Sequence, residues 1–105
     1  LARLDALIAE HMAEGWSASD YAAALSVTVG HLSRLCRSVT GAGAAAYIEE
    51  TVITEACRLL AFTRLSVSEV GYRLGYSDPS YFSRRFRVRR SVAPHEYRAR
   101  FLSGA

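Results

Sequence analysis

Apolar residues recur along this chain at helical spacing, and nowhere do they alternate in the two-residue period of a strand. Leu1, Leu4, Leu7, Ile8, His11 and Met12 share one stripe, and Gly15 is a natural stop. Ser17-Ala18-Ser19-Asp20 has the form of a capping box and opens a short helix through Leu25. Ser26-Val27-Thr28 reads as a tight turn, with Thr28 capping a helix that runs to about Thr40 and ends at Gly41. In that helix Leu32, Leu35, Cys36 and Val39 are expected to face inward, and Gly30, Ser33, Arg34 and Arg37 outward. From Ala44 to Phe62 the pattern is one long helix, lined on one side by Ile48, Val52, Ala56, Leu59 and Leu60. At about 1.5 Å per residue its roughly 18 residues span roughly 27 Å. Ser66-Val67-Ser68-Glu69 is a second capping box, opening a helix through Leu74; Gly75 then turns the chain. Pro94 starts a last helix in which Tyr97 and Phe101 are four apart. The pattern predicts an all-α chain of about seven helices. It divides into a helix-turn-helix subdomain over residues 1–43, a linker helix over 44–62 and a second helix-turn-helix subdomain over 63–105.

The stretch from Tyr76 to Arg90 carries the most concentrated chemistry. Ser77 is expected to be the N-cap of its helix, Asp78 suits the positive N-terminal end, and Pro79 fits the first turn. Phe82 and Phe86 share an inward face, whereas Ser80, Ser83, Arg84 and Arg87 line another. Arg85, Arg89 and Arg90 add charge at the flanks. A helix that is apolar on one side and rich in Arg on the other suits reading of the DNA major groove. Alone, it is equally a solvated helix that happens to be basic.

An internal repeat separates those readings. Ser17-x-Ser19-Asp20 and Ser66-x-Ser68-Glu69 match at an offset of 49, as do Leu25 and Leu74. After one extra residue in the second turn the offset is 50, where Leu32-Ser33-Arg34-x-x-Arg37 matches Phe82-Ser83-Arg84-x-x-Arg87 and Tyr47 matches Tyr97. Packing accounts for the recurring inward positions. It has no use for the recurring outward Ser-Arg-x-x-Arg. Two such helices held at opposite ends of a long helix have the spacing to enter successive major grooves, which lie about 34 Å apart.

Charge sharpens the picture. The chain of 105 residues is the size of one domain or two very small ones, and half of it is hydrophobic, enough to bury a core. Its net charge of +3 is unevenly placed. Residues 1–50 hold three Arg against six acids, and residues 51–105 hold ten Arg against four. All thirteen basic residues are Arg, whose planar fork matches phosphate and the guanine edge, although a GC-rich genome produces the same bias. Cys36 and Cys57 fall at inward helix positions without metal-ligand spacing, as expected of buried free thiols in a reducing cytoplasm. No metal site, cofactor or catalytic constellation is apparent, and His11 reads as a helix-face residue. There is neither a membrane-length apolar run nor a signal-peptide pattern. The opening at Leu1 rather than Met is expected of a piece of a longer protein.

At these residues the chain resembles the DNA-binding domain of the AraC/XylS family of bacterial transcription regulators. Ala56-x-x-Leu59-Leu60 is similar to the family's connecting helix. Ser68-x-Val70-Gly71-x-x-Leu74-Gly75-Tyr76-Ser77-Asp78-x-Ser80-Tyr81-Phe82-Ser83-Arg84-x-Phe86-Arg87, followed by Pro94-x-x-Tyr97-Arg98, is similar to its signature. The resemblance implies two helix-turn-helix units on a rigid helix, binding an asymmetric double-stranded DNA site as a monomeric domain and recruiting RNA polymerase; the sequence leaves activator and repressor both open. It also implies an N-terminal effector-sensing domain outside this piece. Carried over by position, base-reading residues are Gly30, His31, Ser33 and Arg34 in the first unit and Pro79, Ser80, Ser83 and Arg84 in the second. Arg37, Ser77, Arg87, Arg89 and Arg90 are placed to meet phosphates. Val52, Cys36 and Ser91 depart from the family's usual Arg, Phe and Gly. Two rivals stay open: a basic helical module that docks an acidic protein, and a nucleic-acid binder without sequence preference.

Overall fold

Most helices in this chain start where a side chain can take an otherwise unpaired amide. Ser17 accepts the N–H of Asp20 while the Asp20 carboxylate accepts the N–H of Ser17, and Ser66 and Glu69 repeat the exchange. Thr28 Oγ1 accepts the His31 N–H at 3.1 Å. The computed structural model describes residues 1–102, and among them it has seven α-helices and no strand. They are α1 (Ala2–His11), α2 (Ala18–Ala24), α3 (Val29–Thr40), α4 (Ala44–Phe62), α5 (Val67–Arg73), α6 (Pro79–Arg90) and α7 (Pro94–Leu102). A 3-10 turn (Met12–Glu14) extends α1 to Gly15, which closes it in the left-handed region. His11 stacks on Trp16 with centroids 3.8 Å apart and pairs with Glu14. The all-α expectation and the expected spans of α3, to Thr40, and of α4, over Ala44–Phe62, match the structure.

The chain forms two compact units, Leu1–Val52 and the residues from Ile53 onward, so the division falls inside α4. In the first unit, Leu4 and Ile8 of α1, Tyr21 and Ala22 of α2, Leu32 and Cys36 of α3, and Ala44, Ile48 and Val52 of α4 are buried. Tyr47 of α4 donates its hydroxyl to the Asp5 carboxylate of α1. That bond, reinforced by burial, pushes the Tyr47 phenol up to about 12. In the second unit the core comprises Ile53, Ala56, Cys57, Leu59 and Leu60 of α4, Val70 of α5, Leu74, and Phe82 and Phe86 of α6. Arg98 of α7 donates to the Leu60 carbonyl at 2.9 Å and the Leu65 carbonyl at 2.6 Å, pinning the segment between α4 and α5. Both cysteines are free and buried, and burial raises the Cys36 thiol. No helix among the described residues is long and apolar enough to cross a membrane.

Two expectations are corrected. Leu35 and Val39 do not face inward: they are 44% and 70% exposed. Leu32 and Cys36, four residues apart, take the centre of the buried stripe, leaving Leu35 on its flank and Val39 in the last turn. Leu35 forms the lip of an open apolar groove with Leu1, Leu4, Leu25, Val27 and Leu32. At the matching places the second unit carries Arg85 and Arg89, charged residues that are half-buried. The N-cap of α6 is Asp78, not Ser77: its Oδ1 accepts the Ser80 N–H at 2.9 Å. Proline disfavours the helical region for the residue before it, and Asp78 is accordingly extended at φ −128°, ψ 113°, as suits an N-cap.

Candidate nucleic-acid interface

The repeat seen in the sequence is a repeat of backbone bonds. In the first unit the N–H of Val27 returns to the Ala22 carbonyl; in the second, Tyr76 returns to Gly71, each at 3.0 Å. Each turn passes one residue through positive φ, Ser26 at 58° and Gly75 at 91°. The helices that follow, α3 and α6, are both 12 residues long and both close on a left-handed residue, Gly41 and Ser91. Phe82 and Phe86 are fully buried, and their rings meet each other edge-on at 6.0 Å. Phe82 also meets Tyr76 at 5.1 Å, and Phe86 meets Tyr97 at 5.6 Å. This aromatic row fixes the rotation of α6 and so decides which side chains point outward.

On the outward side of α3, Gly30, His31, Arg34 and Arg37 are exposed. Ser33 is half-buried, and its Oγ accepts the Ala44 N–H at 3.3 Å, tying α3 to the start of α4. The Arg34 guanidinium lies back along its helix, with Nη1 3.5 Å from where a Cβ on Gly30 would stand. Arg37 folds against the backbone of Gly43, Nη2 being 3.0 Å from the corresponding point. On α6, Ser80, Arg84 and Arg87 are exposed, and Pro79 and Ser83 are half-buried. Ser77 is exposed just before the cap. Neither Arg34, Arg37 nor Arg84 has a carboxylate partner among the described residues.

The remaining arginines are less free. Arg87 Nη1 lies 3.4 Å from Glu96 Oε1, which also accepts the Ala93 N–H at 3.1 Å. That backbone bond, with the Arg87 charge behind it, holds Glu96 below the usual carboxylate range. Arg89 and Arg90 are half-buried, and Arg90 donates to Thr54 Oγ1 at 3.1 Å and to the Arg89 carbonyl at 3.2 Å. Sequence reasoning alone singles out neither Glu96 nor Tyr81. The second is a half-exposed ring one turn before Arg84, whose Cζ lies 5.8 Å from the ring centroid. The three-residue spacing between them was the available signal.

Two short helix-turn-helix units, each ending in a helix whose Ser-Arg-x-x-Arg motif has both arginines exposed, define a double helix-turn-helix domain. The helix-turn-helix domain family matches residues 21–100. The arabinose operon regulatory protein of Escherichia coli strain K12 is 31% identical over 93 residues, covering 88% of this chain and 32% of that protein. The crystal structure of the DNA-binding domain of AdpA, a global transcriptional factor, in complex with a target DNA has a TM-score of 0.86 at 28% identity. That match covers 97% of this chain and 92% of the other. A transcriptional regulator of Chromobacterium violaceum with an AraC-type DNA-binding domain has a TM-score of 0.85 at 28% identity, over 96% of this chain and 90% of that one. The chain therefore belongs to the AraC-type helix-turn-helix family of transcription regulators. It spans about a third of the length of the curated relatives it matches.

Proposed function

We propose that this chain is the sequence-specific, double-stranded DNA-binding part of a bacterial transcription regulator, with α3 and α6 as its two reading helices in successive major grooves. The observation that carries the reading is the twice-built face: exposed Arg34 and Arg84, at the same register of equivalent helices, with no carboxylate among the described residues to neutralise them. Each guanidinium reads a guanine edge bidentately, contributing about 1–3 kcal/mol of discrimination. Gly30, His31, Ser33, Pro79, Ser80 and Ser83 shape the contact around them. Ser33 keeps its O–H donor for the groove while its oxygen is engaged with Ala44. Arg37, Arg87, Ser77 and Arg89 meet phosphates, and Arg90 adds charge from a place fixed by Thr54.

The domain works in the cytoplasm, without cofactor, metal or turnover, alongside RNA polymerase and under a separate effector-sensing domain. The linker role belongs to residues 44–62, between subdomains over 1–43 and 63–105. Selection of bound duplexes from a random pool tests the reading. The expected result is an enriched asymmetric motif with two elements about one helical turn apart. Recovery of duplexes with no shared motif would overturn it.

A further inference from the structure

We infer that Tyr81 is a positioning residue for Arg84: its ring sets the guanidinium in place before DNA arrives, and base discrimination at one position depends on it. The inference rests on the base-reading role of Arg84 proposed above. Arg84 Cζ lies over the Tyr81 ring, 5.8 Å from its centroid, within the range in which a cation is drawn to an aromatic face. Tyr81 is 49% exposed, yet its ring is not free to wander. It meets Tyr76 at 6.2 Å, Tyr76 meets Phe82 at 5.1 Å, and Phe82 is fully buried. A row of rings thus runs from the core of the second unit to the side chain proposed to carry that unit's base-reading charge.

The choice of partner matters chemically. A carboxylate would hold an arginine by consuming its N–H donors, as Glu96 does with Arg87. An aromatic face takes none of the five, so the fork stays available for a base edge. The first unit lacks this device. His31 stands at the register of Tyr81, and no ring contact joins it to Arg34 among the described residues. Arg34 lies instead along the bare backbone at Gly30. The second unit therefore presents a pre-set reading arginine and the first a looser one, which makes Arg84 the stricter reader.

Binding of the full 105-residue chain is measured on a selected duplex and on variants changed at one base pair at a time. Tyr81→Ala, Tyr81→Leu and Tyr81→Phe are compared in the parent and in the Arg84→Ala background, with thermal melting as a check on folding. Tyr81→Leu keeps bulk against Tyr76 without an aromatic face, so it answers the question even where Tyr81→Ala melts early. The expected result is a loss of discrimination of about two- to five-fold in Tyr81→Ala and Tyr81→Leu, confined to the base pair that Arg84→Ala relaxes. Tyr81→Phe keeps the parent's discrimination, and no Tyr81 variant has a further effect once Arg84 is gone. Equal weakening on every duplex, or the same loss in the Arg84→Ala background, would overturn the positioning role. A parent-like specificity profile for Arg84→Ala itself would instead overturn the base-reading role beneath it.

Discussion

Gly71 and Phe82 are fitted to one another so closely that a Cβ on the glycine would meet Cδ2 and Cγ of the ring at 3.0 and 3.1 Å. The equivalent pair in the first unit is Ala22 and Leu32, both buried. The contact between the two helices of each turn is thus conserved in bulk and redistributed: a larger residue on the reading helix faces a smaller one on its neighbour. The glycine in the middle of α5 is explained by packing, since in helix propensity alone alanine is better by about 1 kcal/mol.

Gly71→Ala is expected to destabilise the protein by about 1–2 kcal/mol, because overpacking outweighs the propensity gain. The ring has nowhere to retreat, being fully buried between Tyr76 and Phe86. Adding Phe82→Leu recreates the pair found in the first unit. In urea unfolding the double variant should be more stable than the sum of the two single changes predicts; additivity would show that the two sites are not coupled.

Each turn and the end of the helix that follows it together place one glycine and one serine in the left-handed region, in opposite order. The first unit has Ser26 (φ 58°) in its turn and Gly41 (φ 79°) after its reading helix; the second has Gly75 (φ 91°) and Ser91 (φ 67°). A side chain in that region costs roughly 1–2 kcal/mol, partly offset by the greater freedom that glycine loses on folding. Ser26→Gly and Ser91→Gly are therefore each expected to stabilise by about 0.5–1 kcal/mol. Gly75→Ala should destabilise. Thermal melting of the three variants checks the sign, and a loss of stability in either serine variant would reject it.

The readable part of this fold was the part built from neighbours. Capping boxes act over three residues, so Ser17, Thr28 and Ser66 declare their helices directly, as does Pro94. Periodicity gives the angle of a residue around its helix but not how wide the buried stripe is or how far along the helix it runs, so Leu35 on its flank and Val39 in the last turn are exposed against expectation. Ser77 and Asp78 both suit a cap, and only the constraint imposed by Pro79 on its predecessor decides between them. The bonds from Arg98 to Leu60 and Leu65, from Tyr47 to Asp5 and from Arg90 to Thr54 join residues 33 to 42 apart and leave no local trace. On the candidate interface, the outward register of Arg34 and Arg84 was legible because it occurs twice. The Glu96 partner of Arg87 was not, since the first unit has Ala46 at that place.

Acid should weaken the second unit through two carboxylates. The Ser66 N–H holds Glu69 below its ordinary value of 4.5, and the Ala93 N–H, with Arg87, does the same to Glu96. A carboxylate whose folded pKa is depressed contributes stability that is fully present above the unfolded value and is lost as pH falls through the folded one. Both contributions are thus intact at neutral pH and disappear below about 4.5. The Glu69→Gln, Glu96→Gln double variant should melt lower than the parent at pH 7, with the gap closing as the pH falls below about 4.5. A gap of constant size through that fall would show that the carboxylate charges contribute nothing.

Arg84 and Arg87 lie three residues apart on one helix but should fail in different ways. Arg84 has no carboxylate partner among the described residues, and on the base-reading role proposed for it Arg84→Ala is expected to relax choice at one base pair by about 1–3 kcal/mol. Arg87 is partly occupied by Glu96, and on the phosphate role proposed for it Arg87 would exchange one anion for another. Arg87→Ala should weaken binding evenly on all duplexes and lower the slope of log affinity against log salt by about 1. Glu96→Gln relieves Arg87 of its competitor and should tighten binding evenly without altering sequence preference. Titrations of the three variants on a selected duplex and its single-base-pair variants, at several salt concentrations, separate the roles. Identical effects of Arg84→Ala and Arg87→Ala on every duplex would show that α6 contributes only charge.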